Sequence, residues 1–477
     1  MDARTLPVQV TAMHRSLGRP MNEPLDDSNF LPIRGMRDAF PEDLRLRGWL
    51  LGGWREVARR WGFDEAEPAP IEDSGLRERL SGHAITANLY RFADRGGEDI
   101  CLRAGSGPGL VRMVLARGGS EPLPLRWTSL GHCFRQAPLV RGRKHEHFEW
   151  ALVTAGLTTV AAEAEIISAQ LQALREVGLD LTDDNADVQV RISDQRLLSG
   201  ELLAGGLDES RFDAAWTALA NHRQTGIDGS AHDLVKLGLS VEAARRIVDL
   251  LSAGGSGSDG LADLEAIFGT DHPAIESLRE VHDLCDALGL AHLLRFDLKV
   301  IRHQDGSNAI GWEIWDNHGI LPKPMAAGGR CDGLAAVFGS DLPVAIGSMG
   351  DVALIEILRA RSLVPVLHRA VDDVVYPMKT EHFPEAMKVA RFLRKLGRTV
   401  VVDFSQRRFA TVLAQADEVH CAANLYVIGG PESRQGNCTI RPLGPNAAKD
   451  YQVTLASLGV ARKKAKADTS DRLVAVP

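Results

Sequence analysis

A short basic loop joins two apolar stretches in the first third of the chain, and this arrangement restricts the folds that the chain can adopt. The first stretch ends at Arg135, the loop carries Arg141, Arg143 and Lys144, and the second stretch opens near Phe148. Apolar runs on either side of such a connection predict two neighbouring β-strands. The loop either brings positive charge to a nucleotide or an RNA, or is simply solvated.

Size and composition indicate a protein of several domains. The 477 residues exceed what one core holds, so two or three domains are expected. A formal net charge of -8 argues against a surface that coats nucleic acid, although it permits a local basic patch. No apolar run reaches the roughly 18 residues of a membrane helix, so we expect a cytoplasmic protein without membrane contact.

The cysteines and histidines do not predict a metal site. The 6 cysteines are scattered without a C-x-x-C pair, which indicates reduced thiols and neither a zinc site nor a disulfide framework. His145 and His147 flank Glu146, but no third ligand lies close to them in the sequence. No metal is therefore assigned.

Periodicity gives a first division of the chain. Apolar spacing predicts a helix from Pro41 to Trp61, with Gly62 just beyond its end. After residue 187 short helical patterns dominate, and the Gly/Ser run at 253–260 predicts a flexible connection among them. Beyond residue 365 strands alternate with helices, which is typical of βαβ units. The predicted segments are a flexible leader at 1–29, an antiparallel sheet backed by helices at 30–186 and 296–364, a helical insertion at 187–295, a small α/β domain at 365–457 and a basic, disordered tail at 458–477.

Four ordered segments carry a resemblance to a known family. They are PIRGMRDAFP at 32–41, an extended segment at 61–72, the Phe-Arg strand end with its basic loop at 134–148, and GGRCDGL at 328–334. Together they resemble the histidyl-tRNA synthetases, which are class II aminoacyl-tRNA synthetases, over residues 30–455. The resemblance implies an α+β class II catalytic core with a helical insertion and a C-terminal α/β domain of the anticodon-binding type.

The resemblance also implies cofactors and partners. An active member of the family uses ATP and Mg²⁺. The segment at 61–72 corresponds to the family's dimer interface, which implies a homodimer. The C-terminal domain implies a partner that is either a tRNA or a protein.

Candidate site residues follow from the same resemblance. Arg135 and Arg302 are the candidate catalytic residues, because each would stabilise charge that develops at the ATP α-phosphate. Arg135 is also expected to bind the nucleotide together with Arg143 and Lys144. The candidate substrate pocket comprises Gly105, Gly107, Trp150, Arg302, Asp305, Gly306, Ser307, Gly328, Gly329 and Arg330.

Several of these residues also have a structural interpretation. Arg135 at a strand end is suited to pairing with a carboxylate. Arg302 and Asp305 are suited to pairing with each other. The glycines at 328–329 are suited to close backbone packing.

Departures from the family pattern concentrate in the amino-acid pocket. Gly105 stands where the family has a glutamate that contacts the substrate's amino group, and Trp150 is expected in the place of a substrate-binding glutamine. Gly306 and Ser307 replace two tyrosines that line the imidazole pocket. These changes predict a pocket that is poorly suited to histidine.

The ATP side of the site departs as well. Ala137 stands in the place of an acidic residue near the adenine, and Ala353 in the place of an arginine that holds the γ-phosphate. Asp351 is expected to add negative charge close to the phosphates. The loss of one preorganised charged contact costs on the order of 3 kcal/mol of transition-state stabilisation.

Three functions fit these observations. The departures favour a protein that has lost ordinary histidine activation and serves a binding or regulatory role. The first alternative is an active ligase that activates a different amino acid for transfer to tRNA, a carrier or a metabolite. The second alternative is a genuine histidine–tRNA ligase.

Overall fold

The computed structural model describes most of the chain. The described residues are 31–117, 121–182, 185–301, 309–367, 371–430, 437–444 and 447–454. The predicted leader at 1–29 and the predicted tail at 458–477 lie outside them. The chain divides after Val364 into two compact units, which are described separately.

The strands of the described residues form three sheets. In chain order they are β1 Asp64–Glu65, β2 Ile71–Asp73, β3 Arg91–Ala93, β4 Asp99–Leu102, β5 Leu125–Phe134, β6 Glu146–Ala155, β7 Val188–Asp194, β8 Leu294–Phe296, β9 Ile310–Asp316, β10 Ala326–Arg330, β11 Val344–Gly350, β12 Asp373–Pro377, β13 Val400–Val402, β14 Asn424–Ile428, β15 Asn437–Pro442 and β16 Tyr451–Thr454.

Helices cover these sheets. In chain order they are α1 Pro41–Arg60, α2 Ser74–Thr86, α3 Gly107–Ala116, α4 Ala161–Glu176, α5 Gln195–Ala204, α6 Phe212–Ala220, α7 His222–Lys236, α8 Val241–Leu250, α9 Gly257–Phe268, α10 Pro273–Ala287, α11 Asp332–Ala336, α12 Asp351–Ala360, α13 Phe383–Lys395 and α14 Phe409–Ala414. None of the described helices is both long and apolar enough to cross a membrane.

An eight-stranded sheet forms the centre of the first unit. Its strand order is β1-β5-β6-β11-β10-β9-β7-β8. The inner pairs are antiparallel, whereas the edge pairs β1/β5 and β7/β8 are parallel. A small antiparallel sheet of order β2-β4-β3 belongs to the same unit. The antiparallel sheet backed by helices that the sequence predicts is therefore present.

Helix α1 packs against this sheet because its apolar residues form one stripe. Leu46, Leu50 and Trp54 follow one another at four-residue spacing and are buried. Pro41 occupies the first turn, where the missing amide hydrogen leaves no bond unmade. Gly62, with φ +75°, follows the end of the helix. The helix contacts β6 and α4, so it covers one face of β6.

The helical insertion begins later than the sequence prediction placed it. Residues 188–194 form strand β7, which pairs with β8 and β9 inside the central sheet. Val188, Val190 and Ile192 point to one side and are buried, which is the two-residue period of a strand. The helical segment thus runs from α5 to α10.

The Gly/Ser run at 253–260 is part of the packed structure, not the flexible connection that its composition predicted. Gly255 and Phe296 exchange two backbone hydrogen bonds of 3.1 and 2.8 Å. Helix α9 begins at Gly257 within the run. A Cβ at Gly260 would lie 2.1 Å from the Gly255 carbonyl oxygen, so glycine permits a close backbone approach here.

The second unit is a small α/β domain. Its five-stranded sheet has the order β13-β12-β14-β15-β16. The first three strands are parallel and are connected through α13 and α14, as the alternating pattern predicted. Strands β15 and β16 continue the sheet in antiparallel fashion.

Candidate functional site

The site is organised by the pairing of β5 with β6. Successive side chains of a strand point to opposite faces. Cys133 is the direct cross-strand partner of His147, and Gly131 is the partner of Glu149. These residues share the face of the sheet that is opposite to α1. Because both strands are ten residues long and fully paired, their side chains have a rigid support.

Trp150 lies on the other face, which corrects its predicted place in the substrate pocket. Its ring stacks on Trp54 of α1 at 5.8 Å between centroids with an interplanar angle of 12°. Its Nε1 donates to Thr128 Oγ1 at 2.9 Å, and only 1% of the residue is exposed. A shift of one residue along a strand reverses the face. Glu149, not Trp150, is therefore the β6 residue that points toward Gly105.

Glu149 is a buried, ionised carboxylate. The Ser106 backbone amide donates to its Oε1 at 2.7 Å, and its Oε2 lies 3.6 Å from Arg135 Nη2 and 3.7 Å from His147 Nε2. Burial alone would raise the pKa of the carboxyl. The nearby imidazole of His147, the charge of Arg135 and the Ser106 amide outweigh that effect and lower the pKa of Glu149 to about 2.

Gly105 leaves the space that this carboxylate occupies. A Cβ at Gly105 would lie 3.1 Å from Arg135 Nη2 and 3.3 Å from Glu149 Oε1. A side chain at this position would therefore be in tight contact with both charged groups. The other predicted pocket glycine on this side, Gly107, is explained by packing, since its Cβ would lie 2.9 Å from Ile346 Cγ2.

Arg135 is positioned by backbone groups. Its Nε donates to the Ala104 carbonyl at 2.5 Å, and its own amide donates to the His145 carbonyl at 2.8 Å. About a third of its side chain is exposed (32%). The guanidinium therefore has one edge beside Glu149 and remains accessible to an anion.

The basic loop packs against the start of α12. Arg143 donates to the Pro324 carbonyl at 3.0 Å, and Lys144 is exposed. Gly142 has φ +77°, and a Cβ on it would lie 2.7 Å from Leu321 Cδ2 and 3.5 Å from the Ala353 Cα. The loop thus lies directly over Ala353, which carries no charge.

Asp351 does not present free negative charge to the site, contrary to the expectation from sequence. Its carboxylate is fully buried and accepts hydrogen bonds from the Phe148 amide at 2.9 Å and from Arg37 Nη2 at 2.8 Å. Arg37 also donates to Glu146 at 2.5 Å. Sequence reasoning missed this role of Arg37, although the residue lies in the segment at 32–41.

The buried glutamate of this network is ionised as well. His132 Nε2 lies 2.7 Å from Glu146 Oε2. The imidazole ring of His132 stacks on the ring of Phe148 with 4.5 Å between the centroids. Burial raises the pKa of Glu146, but the hydrogen bonds from His132 and Arg37 together with their charges lower it to about 2. The network therefore joins the segment before α1 to β5, β6 and α12.

The segment at 328–330 supports the sheet instead of entering the pocket. A Cβ at Gly328 would lie 2.1 Å from the Trp312 ring, so the glycine permits close packing. Arg330 forms a buried ion pair with Glu163 at 2.6 Å and donates to the carbonyls of Leu157 and Thr159 at 2.6 and 2.7 Å. This corrects the placement of Arg330 in the substrate pocket, because all of these partners belong to α4 and the turn before it.

The remaining predicted site residues lie outside the described part of the chain. They are Arg302, Asp305, Gly306 and Ser307.

His147 belongs to a group of three side chains that could bind a metal ion, but His145 and Glu146 do not belong to it. One ligand atom each of Cys133, His147 and Glu149 lies within 4.8 Å of the others. Cys133 is 14 positions from His147 in the sequence, and only the pairing of β5 with β6 brings the two residues together. Knowledge of the register between β5 and β6 would have identified Cys133 as the neighbour of His147.

Comparison with known sequences assigns a family. The model of the family described as histidyl-tRNA synthetase matches residues 35–352. The chain is 31% identical over 428 residues to a chloroplastic/mitochondrial histidine–tRNA ligase of Arabidopsis thaliana, which corresponds to 90% of this chain and 85% of the relative. It is 28% identical over 430 residues to a histidine–tRNA ligase of Natronomonas pharaonis, with 89% and 96% covered.

Solved structures share the fold. A histidyl-tRNA synthetase from Nostoc sp. PCC 7120 superimposes with a TM-score of 0.69 at 20% identity, covering 91% of this chain and 99% of that chain. A structure from Bacillus halodurans C described as an ATP phosphoribosyltransferase regulatory subunit/histidyl-tRNA synthetase gives 0.67 at 20% identity, covering 86% and 99%. The predicted α+β core with a C-terminal α/β domain is confirmed.

Proposed function

Since the chain belongs to the histidyl-tRNA synthetase family, we propose that it is an ATP-dependent ligase that activates an amino acid other than histidine. The observation that carries this proposal is the buried, ionised carboxylate of Glu149 beside Gly105 and Arg135. Its Oε2 lies 3.6 Å from Arg135 Nη2 and 3.7 Å from His147 Nε2, so neither is within hydrogen-bond distance, and the amine of an amino acid would be a closer cationic partner. The pocket would thus keep a carboxylate for the substrate's amine, supplied by Glu149 on β6 instead of by a residue at position 105.

The side-chain part of the pocket supports a substrate other than histidine. Gly306 and Ser307 lack the rings that the family uses around imidazole. The family has an uncharged glutamine on this strand. Because Glu149 is the β6 residue that points toward Gly105, we assign the place of that glutamine to Glu149, which is charged. Both changes would alter which amino-acid side chain fits the pocket, and neither removes the guanidinium of Arg135.

The chemistry is that of carboxylate activation. A carboxylate oxygen of the amino acid attacks the α-phosphorus of ATP, a new P–O bond forms, the bond to the β-phosphate oxygen breaks and pyrophosphate leaves. Arg135 stabilises the charge that develops on the α-phosphate, and Arg302 is proposed to assist it. The activated acyl group then passes to a tRNA, a carrier or a metabolite.

The described residues fit a nucleotide on one side of the site. Arg135, Arg143 and Lys144 supply positive charge at β5 and its loop, whereas Ala353 at α12 supplies none. Magnesium, which the family uses, would neutralise phosphate charge and so reduce the requirement for a cation at α12.

A second candidate function is a binding or regulatory role without amino-acid activation. The packing of Gly142 over Leu321 and Ala353 favours it, because the loop closes on a position without charge where the family holds the γ-phosphate. For either function we propose a cytoplasmic homodimer that associates through residues 61–72. We also propose that the C-terminal domain binds a tRNA or a protein.

ATP–pyrophosphate exchange against all twenty amino acids tests the proposal. Exchange with one or a few amino acids other than histidine is expected, and it should fall at least a hundredfold in Arg135→Ala. Exchange with histidine at the rate of an ordinary family member would instead identify a genuine histidine–tRNA ligase. Absence of exchange with every amino acid would favour the binding or regulatory role.

A further inference from the structure

Cys133, His147 and Glu149 bring a sulfur, an imidazole nitrogen and a carboxylate oxygen together on one face of the central sheet. Their ligand atoms lie within 4.8 Å of one another. Cys133 and His147 are direct cross-strand partners, and Glu149 follows two residues later on the same face. All three side chains therefore extend from paired strands, which position a binding site more precisely than loops do.

The set of donor atoms indicates which cation the cluster suits. An ammonium group needs hydrogen-bond acceptors, and a thiol sulfur is a weak one. Thiolate, imidazole and carboxylate are the three ligand types that Zn²⁺ takes in proteins. We propose that Cys133, His147 and Glu149 bind a zinc ion and leave one coordination position open. The proposal rests on the proposed function, because a substrate amine that releases its proton to solvent would take the open position.

Ser106 is placed to support two of the ligands. Its backbone amide donates to Glu149 Oε1 at 2.7 Å, which leaves Oε2 available for a metal. Its hydroxyl lies 3.6 Å from the Cys133 sulfur. Partners of this kind orient metal ligands and raise affinity.

The charges of the cluster balance those of zinc. A thiolate and a carboxylate together carry two negative charges. Zinc binds the thiolate form of cysteine, so binding at Cys133 would release the thiol proton to solvent. Three protein ligands with one open position are the arrangement of catalytic zinc sites.

Arg135 competes for the same carboxylate, but weakly. Its Nη2 lies 3.6 Å from Glu149 Oε2, which is beyond hydrogen-bond distance. Because 32% of the side chain is exposed, the guanidinium has room to turn toward a phosphate when zinc holds the carboxylate. Metal binding and nucleotide binding would then divide the two charged groups between them.

Zinc binding is measured first on the full chain, without substrate. The protein is treated with a chelator, dialysed and titrated with Zn²⁺ against a chromophoric competitor, and then with Co²⁺ to detect the absorption of a sulfur–cobalt bond. We expect 1 zinc per chain, as the single cluster of the described residues implies. Cys133→Ser and Glu149→Gln should each weaken binding by more than the roughly 10–100-fold typical of outer-shell changes.

The matched control is Cys285→Ser. Cys285 is as fully buried as Cys133, and burial raises its pKa to about 12, but it lies on α10. Circular dichroism and thermal melting establish that each variant is folded, and Glu149→Gln preserves the side-chain shape if Cys133→Ser is unstable. Less than stoichiometric zinc, or equal weakening in Cys285→Ser, overturns the site.

The outcomes separate the zinc site from the ligase. Pyrophosphate exchange that requires Glu149 but persists in zinc-free protein refutes the zinc site alone, and identifies the substrate ammonium as the cation. Stoichiometric zinc without exchange for any amino acid refutes the ligase alone. Stoichiometric zinc whose removal abolishes exchange supports both.

Discussion

The carboxylate of Glu149 lies 3.3 Å from the point where a Cβ at Gly105 would stand. The two positions belong to different segments, yet they share one space in the pocket. A carboxylate at either position satisfies the same surroundings, and carboxylates at both would repel each other. Under the proposed function, Glu149 would supply the carboxylate that position 105 lacks.

A double-mutant cycle tests the exchange. Gly105→Glu alone should destabilise the chain, because two carboxylates about 4 Å apart repel by about 4 kcal/mol at an effective dielectric of 20. Gly105→Glu combined with Glu149→Gln should recover most of that loss. Urea unfolding of the four proteins measures the coupling, and strictly additive effects would contradict a shared space.

Arg37 is expected to be a stability determinant of the site. Arg37→Ala removes the guanidinium that pairs with the carboxylates of Asp351 and Glu146, and leaves Glu146 with His132. We expect a loss of about 2 kcal/mol, below the roughly 3–5 kcal/mol of a fully buried pair, because 26% of the Arg37 side chain is exposed. Arg34→Ala, an exposed position in the same segment, is the control. Equal losses in the two variants would contradict the role of the network.

Trp150 should affect stability but not amino-acid preference. Trp150→Phe loses the hydrogen bond to Thr128 and part of the stacking on Trp54, at a cost of about 1–2 kcal/mol. The pyrophosphate-exchange profile across the amino acids should keep its rank order, since the ring faces α1. A change in the preferred amino acid would show that the side chain reaches the pocket after all.

Local patterns were sufficient for much of the fold. Helix α1 was predicted within a residue at its end, because its apolar stripe and Gly62 are both visible in the sequence. The family resemblance drawn from four ordered segments is confirmed by the family match. The degenerate pocket remains a prediction.

The site itself depended on relationships that local patterns do not contain. Trp150 and Glu149 are neighbours on β6, and neighbouring side chains of a strand point to opposite faces. Glu149 therefore points toward Gly105, whereas Trp150 packs against α1. Arg37 and Asp351 meet although they are 314 positions apart in the chain. Cys133 joins His147 only through strand pairing. In each case the missing information was which residues lie side by side in three dimensions, and residue types alone do not specify this.

The buried ion pair of Arg330 with Glu163 should contribute more to the free energy of unfolding than a partly exposed ion pair does. Arg330→Met leaves Glu163 buried without a cation, and we expect a loss of about 3–5 kcal/mol. The pair of Arg126 with Glu165 is the control, because its side chains are 30% and 20% exposed and Arg126→Met should cost about 1 kcal/mol or less. Denaturant unfolding compares them, and similar losses would argue against a structural role specific to Arg330.

Substitution of Gly260 tests whether the run at 253–260 is packed or flexible. An alanine methyl at this position would lie 2.1 Å from the Gly255 carbonyl oxygen, so helix α9 would have to move away from the backbone that pairs with Phe296. Such overpacking costs about 1–3 kcal/mol. Gly200→Ala is the matched control, because Gly200 lies in helix α5 and a Cβ there has open space. The control should gain about 0.5–1 kcal/mol from helix propensity. Thermal and urea unfolding of both variants measure the difference, and a stabilising Gly260→Ala would establish that the run behaves as a flexible connection.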